Sequence, residues 1–272
     1  MIRHWRYLQT GYNRGSHNMA LDEVLLRSVQ ICHHTAAVRV YGWRPRAISV
    51  GYGQDVLQDI DVEKCIRTRT DIVRRLTGGR AVLHDEEVTY SVVAPGDDPV
   101  IGGNVSETYR RIGQALICGL THLGVQADMH RSAATGARSP SCFSSTGRYE
   151  VMLQGRKIIG SAQRRIGAAI LQHGSLLTGP GYRSLAEFLR PDTSSPRCER
   201  WRDSVTTLSE ILSKRPSLRQ VSEALRWGFE ETFGVQLVED TLTEDEHRMA
   251  AELMDERYGR DEWNLQRCPF FY

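Results

Sequence analysis

The stretch YEVMLQGRKIIGSAQRR, from Tyr149 to Arg165, decides the fold. Polar and apolar residues alternate in both of its halves, and Gly155 separates them. Alternation with a period of two, interrupted by a glycine, is typical of a β-hairpin. The segment AAILQHGSLLTG, residues 168–179, predicts another strand that pairs beside the hairpin. We therefore expect an antiparallel sheet at the centre of the protein.

Further elements are expected on both sides of this hairpin. The segment SHNMALDEVLLRSV, residues 16–29, predicts a helix whose first turn holds Asp22 and Glu23. Short strands are expected at 36–43, at 47–53 and at both ends of 71–95, and a long helix is expected to stop at Gly124. After residue 205 the capping-box spacings Thr207 to Glu210 and Thr243 to Glu246 indicate helices.

These elements predict an α+β fold. We expect mixed, largely antiparallel sheets flanked by helices and a helical carboxy-terminal third. A chain of 272 residues can form one large domain or two small ones. We expect one domain over 1–272, with about 205–272 as a helical extension.

The composition is that of an ordinary water-soluble globular protein. Hydrophobic residues make up 40% and charged residues 25% of the chain. Lys and Arg total 35 against 33 Asp and Glu, so net charge gives no reason to expect nucleic acid or a membrane as a partner. The sequence has neither the apolar run of a signal peptide nor one long enough to span a membrane, and we expect a cytoplasmic protein.

The segment RRLTGGRAVLH, Arg74 to His84, places two adjacent glycines between a basic pair and a strand. Glycine lets a backbone approach a ligand closely, so Gly78 and Gly79 suit the wall of a pocket. The alternative is a tight turn. The segment lacks the spacing of a phosphate-binding P-loop.

Cys142 lies in a polar stretch, SPSCFSST, inside nearly twenty residues without an apolar period. A segment of that length in a compact domain is typical of a functional or a disordered loop. Because a thiolate is a strong nucleophile, Cys142 is either a catalytic thiol or an incidental surface cysteine. The six cysteines form no C-x-x-C pair, which argues against a zinc site or a disulfide framework.

Three other residues can be interpreted either as structural residues or as part of a functional site. Lys157 follows the hairpin turn, where a lysine is usually a solvated edge residue. His84 and His173 each follow an apolar segment, and each fits a structural histidine better than a metal ligand.

Taken together, the motifs resemble those of the lipoate–protein ligase A/biotin ligase superfamily. HNMALDEVLL, VRRLTGGRAVLHDEEVTYSVV, SCF, YEVMLQGRKIIGSAQRR and ILQHGSLL occur in this order, and YGRDEWN matches the family's carboxy-terminal part. The SxCF cysteine upstream of the lysine hairpin makes the sequence most similar to the LipM-type octanoyltransferases.

This resemblance implies a reaction and its partners. Octanoyl would pass from octanoyl-acyl carrier protein to Cys142 and then to a lysine of a lipoyl-accepting protein such as the glycine cleavage H protein. Exchange of thioesters is nearly isoenergetic and amide formation is downhill, so no ATP, cofactor or metal is expected. No nucleic acid or membrane is expected as a partner.

The resemblance also implies roles for individual residues. Cys142 would be the nucleophile, and the Lys157 ammonium would stabilise the charge on the acyl oxygen. The substrate-binding residues would be Arg75, Thr77, Gly78, Gly79, His84, Gly160, Ser161, Ala162, His173 and Gly174, with the two histidines shaping the pocket rather than moving protons. The pairs Arg74–Arg75 and Arg164–Arg165 would be solvated surface or a basic rim that steers acidic partners.

Three alternatives stay open at this point. An ATP-dependent lipoate–protein ligase would not need the thiol, and an octanoyl amidotransferase would move octanoyl between two lipoyl-bearing proteins. A non-catalytic protein that binds acyl carriers would form no acyl adduct. The residue that takes the proton from the attacking amine is not identified by the sequence.

Overall fold

A computed structural model describes residues 2–32, 35–130, 149–190 and 204–266. The strands are β1 (Arg3–Asn13), β2 (Ala37–Trp43), β3 (Ala47–Val50), β4 (Asp71–Arg74), β5 (Val82–His84), β6 (Glu87–Pro95), β7 (Asp128–His130), β8 (Glu150–Leu153), β9 (Arg156–Ile166), β10 (Ala169–Leu177) and β11 (Val235–Glu239). The helices are α1 (Gly15–Cys32), α2 (Val56–Asp59), α3 (Val62–Arg67), α4 (Val105–His122), α5 (Leu208–Ile211), α6 (Leu218–Phe233), α7 (Glu244–Leu253) and α8 (Asp261–Asn264). A 3₁₀ helix spans Pro180–Phe188, and a π-helical turn, Met254–Tyr258, follows α7.

The strands form two sheets. The larger has eight strands in the order β11-β1-β2-β6-β10-β9-β8-β7, and the smaller has the order β4-β3-β5. Strand β1 pairs in parallel with β2 and β11, and β3 with β4, whereas the other pairs are antiparallel. The expected hairpin is β8–β9, with Gln154 and Gly155 at positive φ in its turn, and β10 lies beside it.

The two faces of the large sheet differ in what they bury. One face carries the apolar residues of β2, β6 and β10, such as Val40, Tyr90 and Leu176, and packs against α4 and α6. The opposite face packs against α1, and α1 also contacts the small sheet. Side chains alternate between the two faces of a strand. The residues next to Val40, Tyr90 and Leu176 in the sequence therefore point toward α1.

The predicted α+β class is confirmed, with three local corrections. Helix α1 begins at Gly15, so Asp22 and Glu23 lie beyond its first turn, and both are buried. Thr207 precedes α5 without a side-chain cap, whereas Thr243 and Glu246 form the expected capping box. The carboxy-terminal part also adds a strand, β11, to the edge of the large sheet. Within the described ranges, no helix combines the length and apolar character that crossing a bilayer requires.

Candidate active site

A narrow pocket lies where the large sheet meets α1 and the small sheet. Its cavity volume is about 30 Å³, so side chains touch across most of it. The lining residues are Met19 of α1; Tyr41, Trp43, Thr89, Gly160, Ser161, Ala162, His173, Gly174 and Ser175 of the large sheet; Ser49, Val82 and His84 of the small sheet; and Arg75, which follows β4.

Small residues on two neighbouring strands leave the space for this pocket. The antiparallel register of β9 and β10 pairs Ser161 with Gly174 and Ala162 with His173. A Cβ on Gly174 would lie 2.7 Å from the Ser161 hydroxyl and 2.7 Å from the Tyr90 ring. A larger residue at this position would therefore disturb the wall of the pocket.

A β-bulge places Lys157 on the same face of the large sheet as Gly160. Val151 pairs with Ile159 while Met152 pairs with Lys157, so Ile158 is an extra residue in β9. Ile158 and Ile159 both pack in the apolar core, and Lys157 consequently shares the opposite face with Gly160. Without the extra residue, alternation would turn the lysine toward the apolar core.

Lys157 forms a buried ion pair. Its Nζ donates to Oε1 of Glu150 at 2.6 Å, and both side chains are less than a tenth exposed. The Lys157 N–H donates to the Ser204 carbonyl, and its own carbonyl accepts from the Thr206 N–H. Main-chain and side-chain bonds together fix the ammonium, and the prediction of an edge lysine in solvent is wrong.

The double-glycine segment is a turn beside the pocket, and the Arg75 side chain forms hydrogen bonds with its carbonyl groups. Arg75 donates through Nη2 to the carbonyls of Gly78 and Arg80, and through Nη1 to the carbonyl and hydroxyl of Ser49. The Thr77 carbonyl accepts from a backbone N–H of the loop after β3. Arg75 therefore holds the turn in place.

Glycines allow this turn to lie close to the loop that follows β3. Gly79 has φ 99°, in the region that favours glycine. A Cβ on Gly51 would lie 2.1 Å from the Gly79 carbonyl oxygen, so only glycine fits there. Gly78 has open space where a Cβ would stand and is exposed.

Arg74 binds the carboxy-terminal motif YGRDEWN. Arg74 is buried and donates from Nε to the Trp263 carbonyl, from Nη1 to the Gly51 carbonyl and from Nη2 to the Asn264 carbonyl. Asn264 Oδ1 accepts from the Arg74 N–H. Helix α8 thus clamps the end of β4. Because Arg74 and Arg75 are both buried, the prediction that they are solvated or form a basic rim is wrong.

His173 belongs to a buried chain of hydrogen bonds. Its Nδ1 lies 2.8 Å from Oδ2 of Asp22, and its Nε2 lies 2.7 Å from the Thr77 hydroxyl. Asp22 also accepts from Arg39 at 2.7 Å and from the Tyr41 hydroxyl at 3.0 Å. Burial acts to raise the pKa of Asp22, but His173 and Arg39 hold it below its ordinary value. The chain connects α1, β10 and the double-glycine turn.

His84 belongs to a second chain of the same kind. Its Nδ1 lies 3.0 Å from Oε1 of Glu87, and its Nε2 lies 2.7 Å from the Ser49 hydroxyl. The ring stacks on Trp43 with centroids 3.8 Å apart. Burial acts to raise the pKa of Glu87, but the interaction with His84 holds it below its ordinary value. Both nitrogens of each histidine are therefore engaged.

Most of the predicted substrate-binding residues are close together. Arg75, His84, Gly160, Ser161, Ala162, His173 and Gly174 line the pocket. Thr77 contacts it through His173, and Gly78 and Gly79 form the adjoining turn. Cys142 lies outside the described residues. In the part of the chain that is described, no three His, Cys, Asp or Glu side chains are grouped as metal ligands would be.

Sequence reasoning missed the carboxylates and several lining residues. Asp22, Glu87 and Glu150 are buried partners of predicted site residues. The sequence carried one signal for Asp22, because an acid within the apolar pattern of a helix needs a buried partner. Met19, Tyr41 and Trp43 look like ordinary core residues in the sequence.

The whole chain is similar to known proteins. The model of the lipoyl protein ligase A/B catalytic domain matches residues 14–230. Octanoyltransferase LipM of Brevibacillus brevis is 37% identical, with 98% of this chain and 100% of that protein covered. The chain belongs to the LipM family of lipoyl protein ligase A/B domains. This confirms the family predicted from the motifs. The LipM proteins of Kyrpidia tusciae, at 39% identity (97% of this chain, 99% of that one), and of Bacillus subtilis, at 34% (97% and 98%), also match.

Solved structures confirm the fold of this LipM family member. Lipoate-protein ligase A bound with ATP has a TM-score of 0.80 at 27% identity, with 98% of this chain and 100% of the other covered. The bipartite lipoate protein ligase of Thermoplasma acidophilum has a TM-score of 0.81 at 25% identity, with 99% of both chains covered. The architecture is shared by ligases and transferases, so residues within the site must distinguish the reactions.

Proposed function

We propose that this protein is an octanoyltransferase of lipoate biosynthesis. It takes octanoyl from octanoyl-acyl carrier protein and transfers it to a lysine of a lipoyl-accepting protein, the glycine cleavage H protein, through a thioester on Cys142. The full-length similarity to LipM octanoyltransferases supports an acyltransferase that works between an acyl donor and a lipoyl-accepting protein. We infer a cytoplasmic enzyme because the carrier protein is cytoplasmic.

The observation that carries the proposal is the placement of Lys157. The bulge at Ile158 puts Lys157 on the same face of β9 as Gly160, which lines the pocket, and Oε1 of Glu150 accepts from its ammonium at 2.6 Å. A fixed cation beside an acyl pocket stabilises the negative charge that develops on a carbonyl oxygen during acyl transfer. The desolvation of Lys157 and Glu150 offsets much of their mutual attraction, so the pair adds little net stability to the fold.

The reaction then has two acyl-transfer steps. The Cys142 thiolate attacks the donor's thioester carbon, Lys157 stabilises the tetrahedral oxyanion, and the carrier's thiolate departs and takes up a proton. In the second step the acceptor's amine attacks the Cys142 thioester, loses a proton and expels the cysteine thiolate. Each step exchanges one acyl bond for another, so neither consumes ATP.

The pocket is the proposed site of the octanoyl tail. Burial of each methylene contributes about 0.8 kcal/mol, so the tail adds roughly 5 kcal/mol to binding. Because the cavity is narrow, lining side chains have to shift when the tail enters, and Met19 is the most flexible of the apolar ones. The Trp43–His84 stack is rigid by comparison and fixes one wall.

A transfer assay tests this function. Purified protein is mixed with octanoyl-acyl carrier protein and unmodified H protein without nucleotide, and octanoylation of the H protein is measured by mass. We expect transfer by the wild type and none by Cys142→Ala. Transfer that requires ATP and free octanoate, and that survives Cys142→Ala, would instead establish a lipoate–protein ligase. Transfer only from octanoylated H protein to a second lipoyl domain would establish an amidotransferase.

A further inference from the structure

A large open cleft adjoins the acyl pocket. Its cavity volume is about 820 Å³, within the range of ligand-binding sites. Trp43 and His84 line both the cleft and the pocket. The other walls come from the loop between β5 and β6 and from residues 214–220 before and within α6.

A short segment links the wall of the cleft to the strand of Lys157. Ser209 N–H donates to the carbonyl of Thr178, which lines the cleft, and Thr206 N–H donates to the carbonyl of Lys157. A molecule in the cleft adjoins the acyl pocket, since Trp43 and His84 line both.

Positive charge predominates among the exposed groups of this cleft. Three exposed cations, Arg44, Lys214 and Arg215, line the cleft together with the half-buried Arg46 and two half-buried carboxylates, Asp85 and Glu86. The third carboxylate, Glu87, is buried against His84.

Only part of this positive charge is neutralised. Arg215 forms an ion pair with Glu86, and Arg46 is 3.9 Å from Asp85. Arg44 lies over the Tyr12 ring at 5.1 Å, and among the described residues neither Arg44 nor Lys214 has a carboxylate partner. Exposed cations of this kind are a docking surface for an acidic partner.

We propose that this cleft binds the acyl carrier protein, with Arg44 and Lys214 contacting its acidic surface and phosphorylated arm. The proposal rests on the proposed function, because it assigns the donor of that reaction to a surface. This surface differs from the basic rim suggested by the sequence, which was the buried pair Arg74–Arg75 and the half-buried pair Arg164–Arg165.

The dimensions and position of the cleft favour the donor over the acceptor. The donor presents its thioester on a long phosphopantetheine arm, which needs a channel with a cation for the phosphate. The acceptor presents only a lysine side chain. A cleft of about 820 Å³ that carries unneutralised cations and adjoins the acyl pocket matches the first requirement.

Direct binding measurements test the assignment. The parent for all variants is Cys142→Ala, which keeps octanoyl on the donor, and binding of fluorescently labelled octanoyl-acyl carrier protein is followed by anisotropy. We expect Arg44→Glu with Lys214→Glu to weaken Kd by roughly 10–100-fold. Rising salt should weaken the parent's affinity more steeply than the variant's. Arg110→Glu on α4 is the control for the single variant Arg44→Glu, since it makes the same charge reversal at an exposed position outside the cleft. Arg44→Glu alone should weaken Kd, whereas the Kd of Arg110→Glu should stay within about twofold of the parent's.

Other outcomes overturn the assignment. An unchanged Kd in the double variant, an equal loss in Arg110→Glu, or a loss of H protein binding without a loss of carrier binding would each contradict it. The proposed function is measured separately, by octanoyl transfer from the uncharged donor octanoyl-N-acetylcysteamine. The variant Arg44→Glu with Lys214→Glu is also made with Cys142 intact. If it transfers octanoyl from octanoyl-N-acetylcysteamine as fast as the wild type does, its defect is confined to binding of the carrier protein. If the wild type binds the carrier protein but transfers from neither donor, the docking surface stands and the octanoyltransferase proposal fails.

Discussion

The two faces of the eight-stranded sheet bury very different side chains from the same strands. On β2, Val40 packs in the apolar core, whereas its neighbour Arg39 is fully buried on the other face and binds Asp22. On β10, Leu176 and His173 show the same contrast. Both faces exclude water, because α1 packs its own apolar cluster against the second face, but only this second face also buries charged side chains such as Arg39 and Asp22.

The buried charges indicate which face of the sheet carries the residues for acyl transfer. A buried polar group without a partner costs about 1–3 kcal/mol, and a buried charge costs more. On the face that packs against α1, three carboxylates each have a cationic or imidazole partner. These pairs are Asp22–His173, Glu87–His84 and Glu150–Lys157. We infer that substitutions of the buried charged residues on the face against α1 change the rate of acyl transfer, whereas substitutions of apolar residues packed between the sheet and α4 or α6 change only stability.

The largest expected effect is that of Lys157→Ala. Loss of the ammonium removes stabilisation of the oxyanion, so kcat/KM for octanoyl transfer should fall by about 10²–10³-fold. The assay measures octanoylation of H protein. The rate of Arg156→Ala, one residue away and half-buried in an ion pair with Glu210, should stay within about twofold of the wild type's.

A second variant separates this effect from unfolding. Lys157→Ala leaves Glu150 as a buried carboxylate without its cation, and such changes destabilise proteins. The double variant Lys157→Ala with Glu150→Gln removes both charges, and its melting temperature should be near that of the wild type. Its activity should remain as low as that of the single variant; recovery of the rate would show that Lys157 has only a structural role.

Phe229→Ala tests the apolar face. Phe229 of α6 is fully buried against the sheet, so its truncation should lower the free energy of unfolding by about 3–5 kcal/mol. Denaturant titration gives this value, and kcat measured at a temperature where the variant is folded should match that of the wild type. A rate loss as large as that of Lys157→Ala would remove the distinction between the faces.

Glu246→Gln should have the smallest effect and sharpens the comparison, because Glu246 pairs with Arg6 of β1, outside the pocket. Burial acts to raise its pKa, but Arg6 and the Thr243 N–H lower it from 4.5 to about 2. The ion pair stabilises the fold above pH 4.5, and the contribution is lost as pH falls toward 2.

The variant should therefore be less stable at pH 7, by about 2 kcal/mol. This difference should shrink between pH 4.5 and 2 in urea titrations, and transfer activity at pH 7 should not change. A constant difference across that range would show that the charge of Glu246 does not stabilise the fold.

Much of the fold was predictable because periodicity records burial. The hairpin β8–β9 was predicted from alternation and from Gly155, and α4 from its apolar stripe. Strand β11 was missed because it lies at the sheet edge and pairs with β1, more than 200 residues earlier in the sequence. No local pattern records such a partner.

The site was predictable where family motifs mark it, and the buried carboxylates were not. Glu150 begins β8 and looks like one of the hairpin's exposed polar residues in the sequence. Its partner Lys157 lies on the same face because of the bulge at Ile158, and a bulge leaves no reliable mark in a single sequence. The clamp of α8 on Arg74 was likewise hidden, because its partners are about 190 residues apart.

Intact-mass spectrometry tests the central claim most directly. The protein is incubated with octanoyl-acyl carrier protein alone, without acceptor or nucleotide. We predict a gain of one octanoyl group that hydroxylamine removes, and Cys142→Ser should either lose this adduct or carry it as a hydroxylamine-resistant ester. A wild-type protein that transfers octanoyl to H protein but never carries an adduct would contradict the covalent mechanism.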